Sequence, residues 1–359
     1  MGRIRDNMLM IRQRLRAYPM VILLLLFVAA ILLFIPRPSR YSPQKAPNDW
    51  QEQLYRRLES AGVTGDELAT TGALTLGYKE DLSRDLRRHF QASGAAHVLA
   101  VSGLHTGIIY GLLLALMTLS GRYRPLYENR WGRRAISLVV ITVMWGYAYL
   151  TGMTPSVVRA VLMVTIFETG RMLYRRAFSL NTIASAAVLT LIVRPTDLWN
   201  VSFQLSFTAT ASIVLVAKQM EGLLHRKEWT GTWKGRMYSR FIGIVIVSLA
   251  AQLGTIPISM YYFHQVSTYF LLTNLVVLPL AGVLVPLGLM TIALGASECG
   301  MICGKITEAA AWLMNHSVEW IEKLPGSTVE AHVNGWMIAV YYVLFILFYV
   351  LVLRKNTIK

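Results

Sequence analysis

Charge is what this sequence has least of. Only 15% of its 359 residues are charged while 55% are hydrophobic, and the mean hydropathy is +0.47. Soluble domains run nearer a quarter charged. A water-soluble globule is therefore excluded, because so apolar a chain would leave too much apolar surface in water. Cysteine is scarce too. Cys299 and Cys303 cannot build a disulfide framework, and a C-x-x-x-C pair without further ligands is not a structural zinc signature.

The common catalytic signatures are also missing. Residues 300–305 read GMICGK, one spacer short of a P-loop and followed by Ile306 rather than Ser or Thr, so no nucleotide motor is encoded. There is no H-x-H-x-D-H, H-E-x-x-H or G-x-S-x-G, which removes the standard hydrolytic centres. No cofactor and no metal are expected, and the chain is not expected to be an enzyme. Neither an internal repeat nor a low-complexity tract is present.

Long apolar runs are abundant. The first, 19–35, follows Arg3, Arg5, Arg12, Arg14 and Arg16 and is long enough to cross a bilayer. It carries no A-x-A-like cleavage site and is followed by Pro36-Arg37-Pro38, which predicts an uncleaved helix with a cytoplasmic N-terminus. Residues 36–95 are polar, with short surface helices expected at 49–60 and 81–91. Apolar segments recur at about 97–119, 135–150, 155–170, 178–193, 199–217, 241–258, 268–296 and 336–353.

The charges test this topology, since Lys and Arg gather on cytoplasmic loops. With 1–18 inside, the inside segments carry 22 Lys and Arg against 4 Asp and Glu, and the outside segments 12 against 14. The formal charge of +16 thus divides into about +18 inside and −2 outside, so it reports topology more than any polyanion. A single crossing by 268–296 would reverse the rule for everything after it. The expectation is a broken or re-entrant element there, interrupted at Pro279 and Pro286, because broken helices recur at transport sites. An interfacial amphipathic helix is expected at 306–321, with Trp312 and Trp320 at the membrane boundary.

The fold class is accordingly an all-α polytopic membrane protein. It has about eight transmembrane helices, one broken element and one interfacial helix. Its organisation is a basic segment and first helix (1–35), an extracytoplasmic polar segment (36–95), a transmembrane channel domain (96–353) and a cytoplasmic tail (354–359). Multi-pass insertion in a membrane follows, with both termini cytoplasmic.

Polar groups at membrane depth are costly and mark water-filled paths or bundle interiors. Candidates for a substrate path are His97, Ser102 and His105, then Ser156 and Arg159, then Ser202, Gln204 and Ser206, and finally Asn274. Ser202, Ser206 and Thr210 form one four-residue line, and Gln204, Thr208 and Ser212 another; such lines hydrate a pore or join helices. Gly103, Gly107 and Gly111 repeat every fourth residue, a spacing that lets a neighbouring helix approach. On one helix His97 and His105 would diverge by about 80°, which is poor geometry for a shared metal. Thr154 and Pro155 read as N-cap and first residue of a sharp helix start, with Arg159 one turn inside. Arg84, Arg87, Arg88 and His89 form a basic cluster before the first motif.

These segments resemble the competence domain of the ComEC family. Residues 94–105 match G-x-x-H-[LV]-L-A-[VI]-S-G-L-H. Thr151, Gly152, Pro155, Ser156, Arg159, Ala160 and Met163 match T-G-x-x-P-S-x-x-R-A-x-x-M. S-F-Q-L-S-F follows at 202–207, then Pro257, Phe263, Asn274 and Pro279. The resemblance covers about 70–350 and implies passage of single-stranded DNA into the cytoplasm during natural transformation. Family members also carry an OB-like and a metallo-β-lactamase-like domain. Residues 36–69 are too few for the first and only six residues follow the last apolar run, so nuclease activity is not carried over. Moving DNA inward costs about 2.3 kcal/mol per charge per 100 mV. A separately encoded nuclease and a cytoplasmic motor or DNA-binding protein are therefore expected partners, beside the lipid bilayer and a possible homo-oligomer. Other readings are a transporter of another anionic envelope polymer, a non-transporting remnant or scaffold, and an intramembrane hydrolase built on Ser102 and His105.

Overall fold

The computed structural model describes residues 19–34, 48–119, 129–173, 180–224 and 232–357. The basic N-terminal segment, the proline-rich linker 36–47 and most of the basic inside stretches lie outside the described residues. Helix dominates, with one two-stranded ribbon. In chain order the helices are α1 (Pro19–Phe34), α2 (Asp49–Ser60), α3 (Gly65–Leu76), α4 (Arg84–Ala92), the single turn α5 (Ala96–Leu99), α6 (Gly103–Leu119), α7 (Arg130–Leu150), α8 (Pro155–Met172) and α9 (Leu180–Val193). A 3₁₀ turn, Pro195–Trp199, leads into α10 (Val201–Leu224) and α11 (Trp233–Phe263). Strand β1 (Gln265–Ser267) precedes α12 (Phe270–Leu294) and α13 (Glu298–Glu322), and β2 (Thr328–Glu330) precedes α14 (Gly335–Thr357). The strands pair antiparallel, with Val266 opposite Val329.

Helices α11 and α12 are each long and apolar enough to span a bilayer, and α1, α6, α9, α10 and α14 contain shorter apolar stretches. Their outer faces stay apolar where exposed, as at Leu26, Val193, Val343 and Phe348. Such a continuous apolar exterior suits lipid and not water.

The stretch around Pro279 and Pro286 departs from expectation. Both prolines lie inside one continuous 25-residue helix, α12. A proline removes one N–H and crowds the preceding turn, but inside a membrane protein neighbouring helices hold the backbone in place. Here α13, α3 and α6 pack along α12. The helix expected at 306–321 is likewise longer, beginning at Glu298. It buries Gly304, Thr307, Ala311, Met314 and Val318 against its neighbours and turns Trp312 and Trp320 outward. So α12 and α13 pack together as a helical hairpin.

One core crosses the polarity boundary at residue 95. It joins Ala73, Leu74, Leu86, Phe90 and Val98 to Val140, Met144, Val277, Leu284 and Met314. Helix α3 buries every residue from Leu68 to Leu76. Its small side chains let α12 close on it, where a Cβ on Gly288 would meet Thr75 at 2.6 Å, and α13 closes as tightly on the end of α2, where a Cβ on Gly304 would meet the Ala61 carbonyl at 2.0 Å.

Pro257 has a distant partner. Lacking an N–H, it leaves the Leu253 carbonyl of α11 free. Tyr341 of α14 donates its hydroxyl to that carbonyl at 2.7 Å, and Tyr342 donates to Gly254 O at 2.7 Å. The last helix thereby restores the bond that the proline removed.

Candidate functional site

Three sequence motifs meet around the first turn of α8. Its start follows the expected pattern, with Pro155 at the first helical position after Thr154, although the Thr154 hydroxyl makes no capping bond. The loop before it needs Gly152, which has φ +69° and faces Gln51 so closely that a Cβ would lie 2.8 Å from its amide. Gln51 in turn donates to Leu76 O at 2.8 Å, which ties α2 and α3 to the α7–α8 corner.

From this fixed start, Ser156 donates to the Val101 carbonyl at 2.6 Å, joining the second motif to the first. Arg159, one turn on, is 1% exposed. Its Nη2 donates to the Ser202 carbonyl at 2.9 Å and to Ser202 Oγ at 2.7 Å, joining the second motif to the third. Its Nε and Nη1 have no partner, and no carboxylate reaches it in the described residues. Asp197 of the 3₁₀ turn acts on it only through space. Burial pushes the Asp197 carboxyl up, against the opposing pull of Arg159 and Arg194. A guanidinium has five N–H donors and keeps its charge. This one is left with free donors in the interior.

Beside it, the first motif is arranged differently from expectation. The helix starts at Gly103, and His97 lies on the separate turn α5, with Ala100 extended between them. The 80° argument, which assumed one helix, does not apply. Ser102 heads α6, accepting Leu104 N–H on its hydroxyl at 3.3 Å and Thr106 N–H on its carbonyl at 3.1 Å. His105 is wholly buried, and its Nδ1 accepts the Ser102 backbone N–H at 3.2 Å. The ring proton therefore sits on Nε2, which has no partner. The Ser102 hydroxyl lies 3.2 Å from the same Nδ1, so backbone N–H and hydroxyl converge on one ring nitrogen. His97 is exposed, and its Nδ1 donates to Gly94 O at 3.1 Å, so its Nε2 lone pair is free.

The glycine line does not serve packing. Gly103, Gly107 and Gly111 are exposed. A Cβ on Gly107 or Gly111 would meet nothing within 4 Å, and one on Gly103 would only touch the Ala160 Cβ at 3.9 Å. Spacing alone signals a small face, and here no neighbouring helix fills it. Gly107→Ala is therefore expected to keep or raise stability, by up to about 1 kcal/mol from helix propensity, in thermal unfolding of the purified chain. A loss above 1 kcal/mol would restore the packing role.

The polar lines of α10 divide. Gln204 donates to Leu198 O at 2.9 Å, and Thr208 and Thr210 return their hydroxyls to Gln204 O and Ser206 O. Ser212 donates to Ala250 O at 2.6 Å. A Cβ on Gly254 would stand 2.9 Å from Thr208 O, so this line joins α10 to α11. Only Ser202 touches Arg159, while Ser206 is half-buried and makes no contact with it among the hydrogen bonds described. Asn274, on α12, is buried with Oδ1 unpartnered and makes no hydrogen bond to Arg159 or Ser202 among those described.

One cluster escaped sequence reasoning. Glu168, farther along α8, is fully buried. Its Oε1 accepts from Tyr110 Oη at 2.6 Å and Arg171 Nη1 at 2.9 Å, and its Oε2 from Ser137 Oγ at 2.7 Å. The signal was present, since Glu168 is the only acid within the apolar segments and Arg171 follows one turn later.

The whole arrangement lies within a region, residues 74–355, that matches the model of the family described as Competence protein. The chain belongs to that family. It is 29% identical over 214 residues to ComE operon protein 3 of Bacillus subtilis (strain 168), covering 60% of this chain and 25% of that protein. An uncharacterized protein of Aquifex aeolicus (strain VF5) is 31% identical over 144 residues, covering 40% of this chain and 32% of its own. The uncharacterized protein YcaI of Escherichia coli (strain K12) is 25% identical over 210 residues, covering 58% and 26%. The chain thus spans between a quarter and a third of the length of these relatives. No solved structure matches it. Family membership ties the chain to competence, and its long apolar helices tie it to the membrane.

Proposed function

We propose that this chain forms the membrane conduit through which a single strand of DNA passes inward during natural transformation, in a multi-pass inner-membrane arrangement with both termini cytoplasmic. The observation that carries this reading is the buried Arg159 guanidinium, with Nε and Nη1 free where the three motifs converge. A passing phosphodiester supplies the acceptors that those donors lack, and arginine suits phosphate geometry. The open glycine face of α6 gives a backbone-lined wall beside it, with Gly103 next to Ala160 of α8. The chain's residues bind and orient; no bond-breaking step is assigned to them. The inward drive, about 2.3 kcal/mol per charge per 100 mV, comes in this reading from a separate nuclease and a cytoplasmic motor or DNA-binding partner.

A buried unpaired cation also suits another anionic envelope polymer. It argues against a mere remnant, because so costly a group has no structural use that a methionine would not serve better. The deciding experiment follows labelled DNA into the DNase-protected cytoplasm of a deletion strain, with and without re-expression of this chain. Uptake that depends on the chain is expected. Equal uptake in both strains would move the function to the envelope polymer.

A further inference from the structure

Basic residues open both α7 and α11, and the cluster on α7 lies in a cleft shared with α8. Helix α7 starts after Asn129, whose side chain accepts the Trp131 N–H at 3.2 Å. Arg130 and Arg134 are one turn apart on one face, and both are exposed. With Met172 and Leu173 at the end of α8 they line a cleft of about 410 Å³, a size that holds small ligands. Among the described residues no ion pair joins either arginine to a carboxylate. Glu168, on α8, is already engaged by Tyr110, Ser137 and Arg171.

The surrounding sequence adds cations and almost no anions. Residues 120–134 and 171–177 carry five and three arginines against the single acid Glu128. The two helix ends at the cleft oppose each other, the positive start of α7 against the negative end of α8, so the arginines supply the attraction. One turn beyond Arg134 the same line of α7 becomes apolar at Leu138, which is exposed, as are Val139, Val143 and Leu173. Trp131 is 74% exposed, and the Arg134 guanidinium stands 5.3 Å from its ring centre. Exposed tryptophan and arginine between a basic segment and an apolar flank mark the headgroup level of a bilayer. A ligand that fits here is anionic at one end and apolar at the other.

We propose that this cleft binds an anionic phospholipid, with Arg130 and Arg134 on the headgroup phosphate and an acyl chain along Leu138 and Leu173. Arginine meets phosphate through paired N–H donors, and basic pockets between membrane helices take such headgroups. That the lipid belongs to the cytoplasmic leaflet rests on the topology proposed above; the binding itself does not. The bound lipid fastens the start of α7 to the end of α8, the helix that carries Glu168 and Arg159.

The test uses the full chain in dodecyl maltoside with added phosphatidylglycerol or phosphatidylcholine, and native mass spectrometry reads the fraction that retains one lipid. Phosphatidylglycerol is expected to be held at least about tenfold more tightly than phosphatidylcholine. The double variant Arg130→Gln, Arg134→Gln should lose about tenfold or more of that affinity. The double variant Arg236→Gln, Arg240→Gln removes an equally spaced, equally exposed pair at the start of α11, and should change it less than about twofold. Leu173→Glu keeps both cleft arginines and sets a carboxylate at an exposed position beside them, so it must weaken binding as well, even if the first double variant fails to fold. Equal retention of the two lipids, unchanged affinity in the cleft variants, or an equal fall with the α11 pair would overturn the site. Displacement of the lipid by inorganic phosphate at equal concentration would make the ligand a free anion and overturn the lipid. A single-stranded 20-mer that displaces phosphatidylglycerol, and binds more weakly to the same cleft variants, would give the cleft to nucleic acid and overturn the lipid too.

Discussion

Arg159→Met is expected to lower DNA uptake by about 10- to 100-fold while the purified chain becomes more heat-stable. The two effects have one cause. A buried charge without a counter-ion is expensive, and replacing such groups by apolar side chains of similar volume is commonly neutral or stabilising by about 1–4 kcal/mol. Methionine fills the same channel of space and adapts its shape. The replacement strands nothing, because the Ser202 side chain is exposed and its carbonyl sits within a helix. Uptake falls because a charge-assisted bond to phosphate is worth about 1.5–3 kcal/mol. Arg159→Lys keeps the charge and loses the fork, so it should fall between. Normal uptake by the methionine variant at equal chain level would remove the arginine from the mechanism. A fall in stability that matches the fall in uptake would make it structural.

Much of the helical layout was legible in the sequence. The apolar runs at 155–170 and 178–193 lie within two residues of α8 and α9, and 49–60 coincides with α2. What failed was local reasoning about residues whose consequences are settled at long range. Pro257 is accommodated by Tyr341, 84 residues on, and Pro279 and Pro286 by a packing environment that no window around them contains. Helix α3 looks like a polar surface because it is rich in Thr, Gly and Ala, yet those small residues are what let a long helix close on it. The glycine spacing on α6 said that a face was small, and spacing cannot say whether the space is filled.

The candidate site was legible as a set of residues and not as a geometry. Arg159, Ser156 and Ser202 were each singled out, and the contacts that bring their motifs together, Arg159 to Ser202 and Ser156 to Val101, cross 43 and 55 positions of sequence. Gln204 and Asn274 fit the same polar pattern but turn to other partners or to none. Polarity at depth is a good filter for interest and a poor one for role, because a hydroxyl can always return to its own helix, as Thr208 and Thr210 do.

Glu168→Ala is expected to be the most destabilising single change outside the apolar core, at about 3–5 kcal/mol. The magnitude follows from what would be left behind. Arg171 is about one-fifth exposed at its side chain and would lose its carboxylate, and the Tyr110 and Ser137 hydroxyls would lose their acceptor in a buried place. Neutral bonds between membrane helices average only about 0.6 kcal/mol, so Ser137→Ala should cost about that much, and the charged pair carries most of the rest. Glu168→Gln keeps an acceptor and should fall between. The double variant Glu168→Gln, Arg171→Met should recover part of the loss, since neither change then leaves an unmatched charge. Unfolding of the purified chains in detergent reads all four, and a cost below 1 kcal/mol for Glu168→Ala would show that the network holds nothing. The network joins α6, α7 and α8 about 13 Å along α8 from Arg159, so it anchors the helices that carry the glycine face and the arginine. Its loss should therefore lower uptake by lowering the amount of folded chain, the opposite of the signature expected at Arg159, where the chain is more stable and uptake still fails.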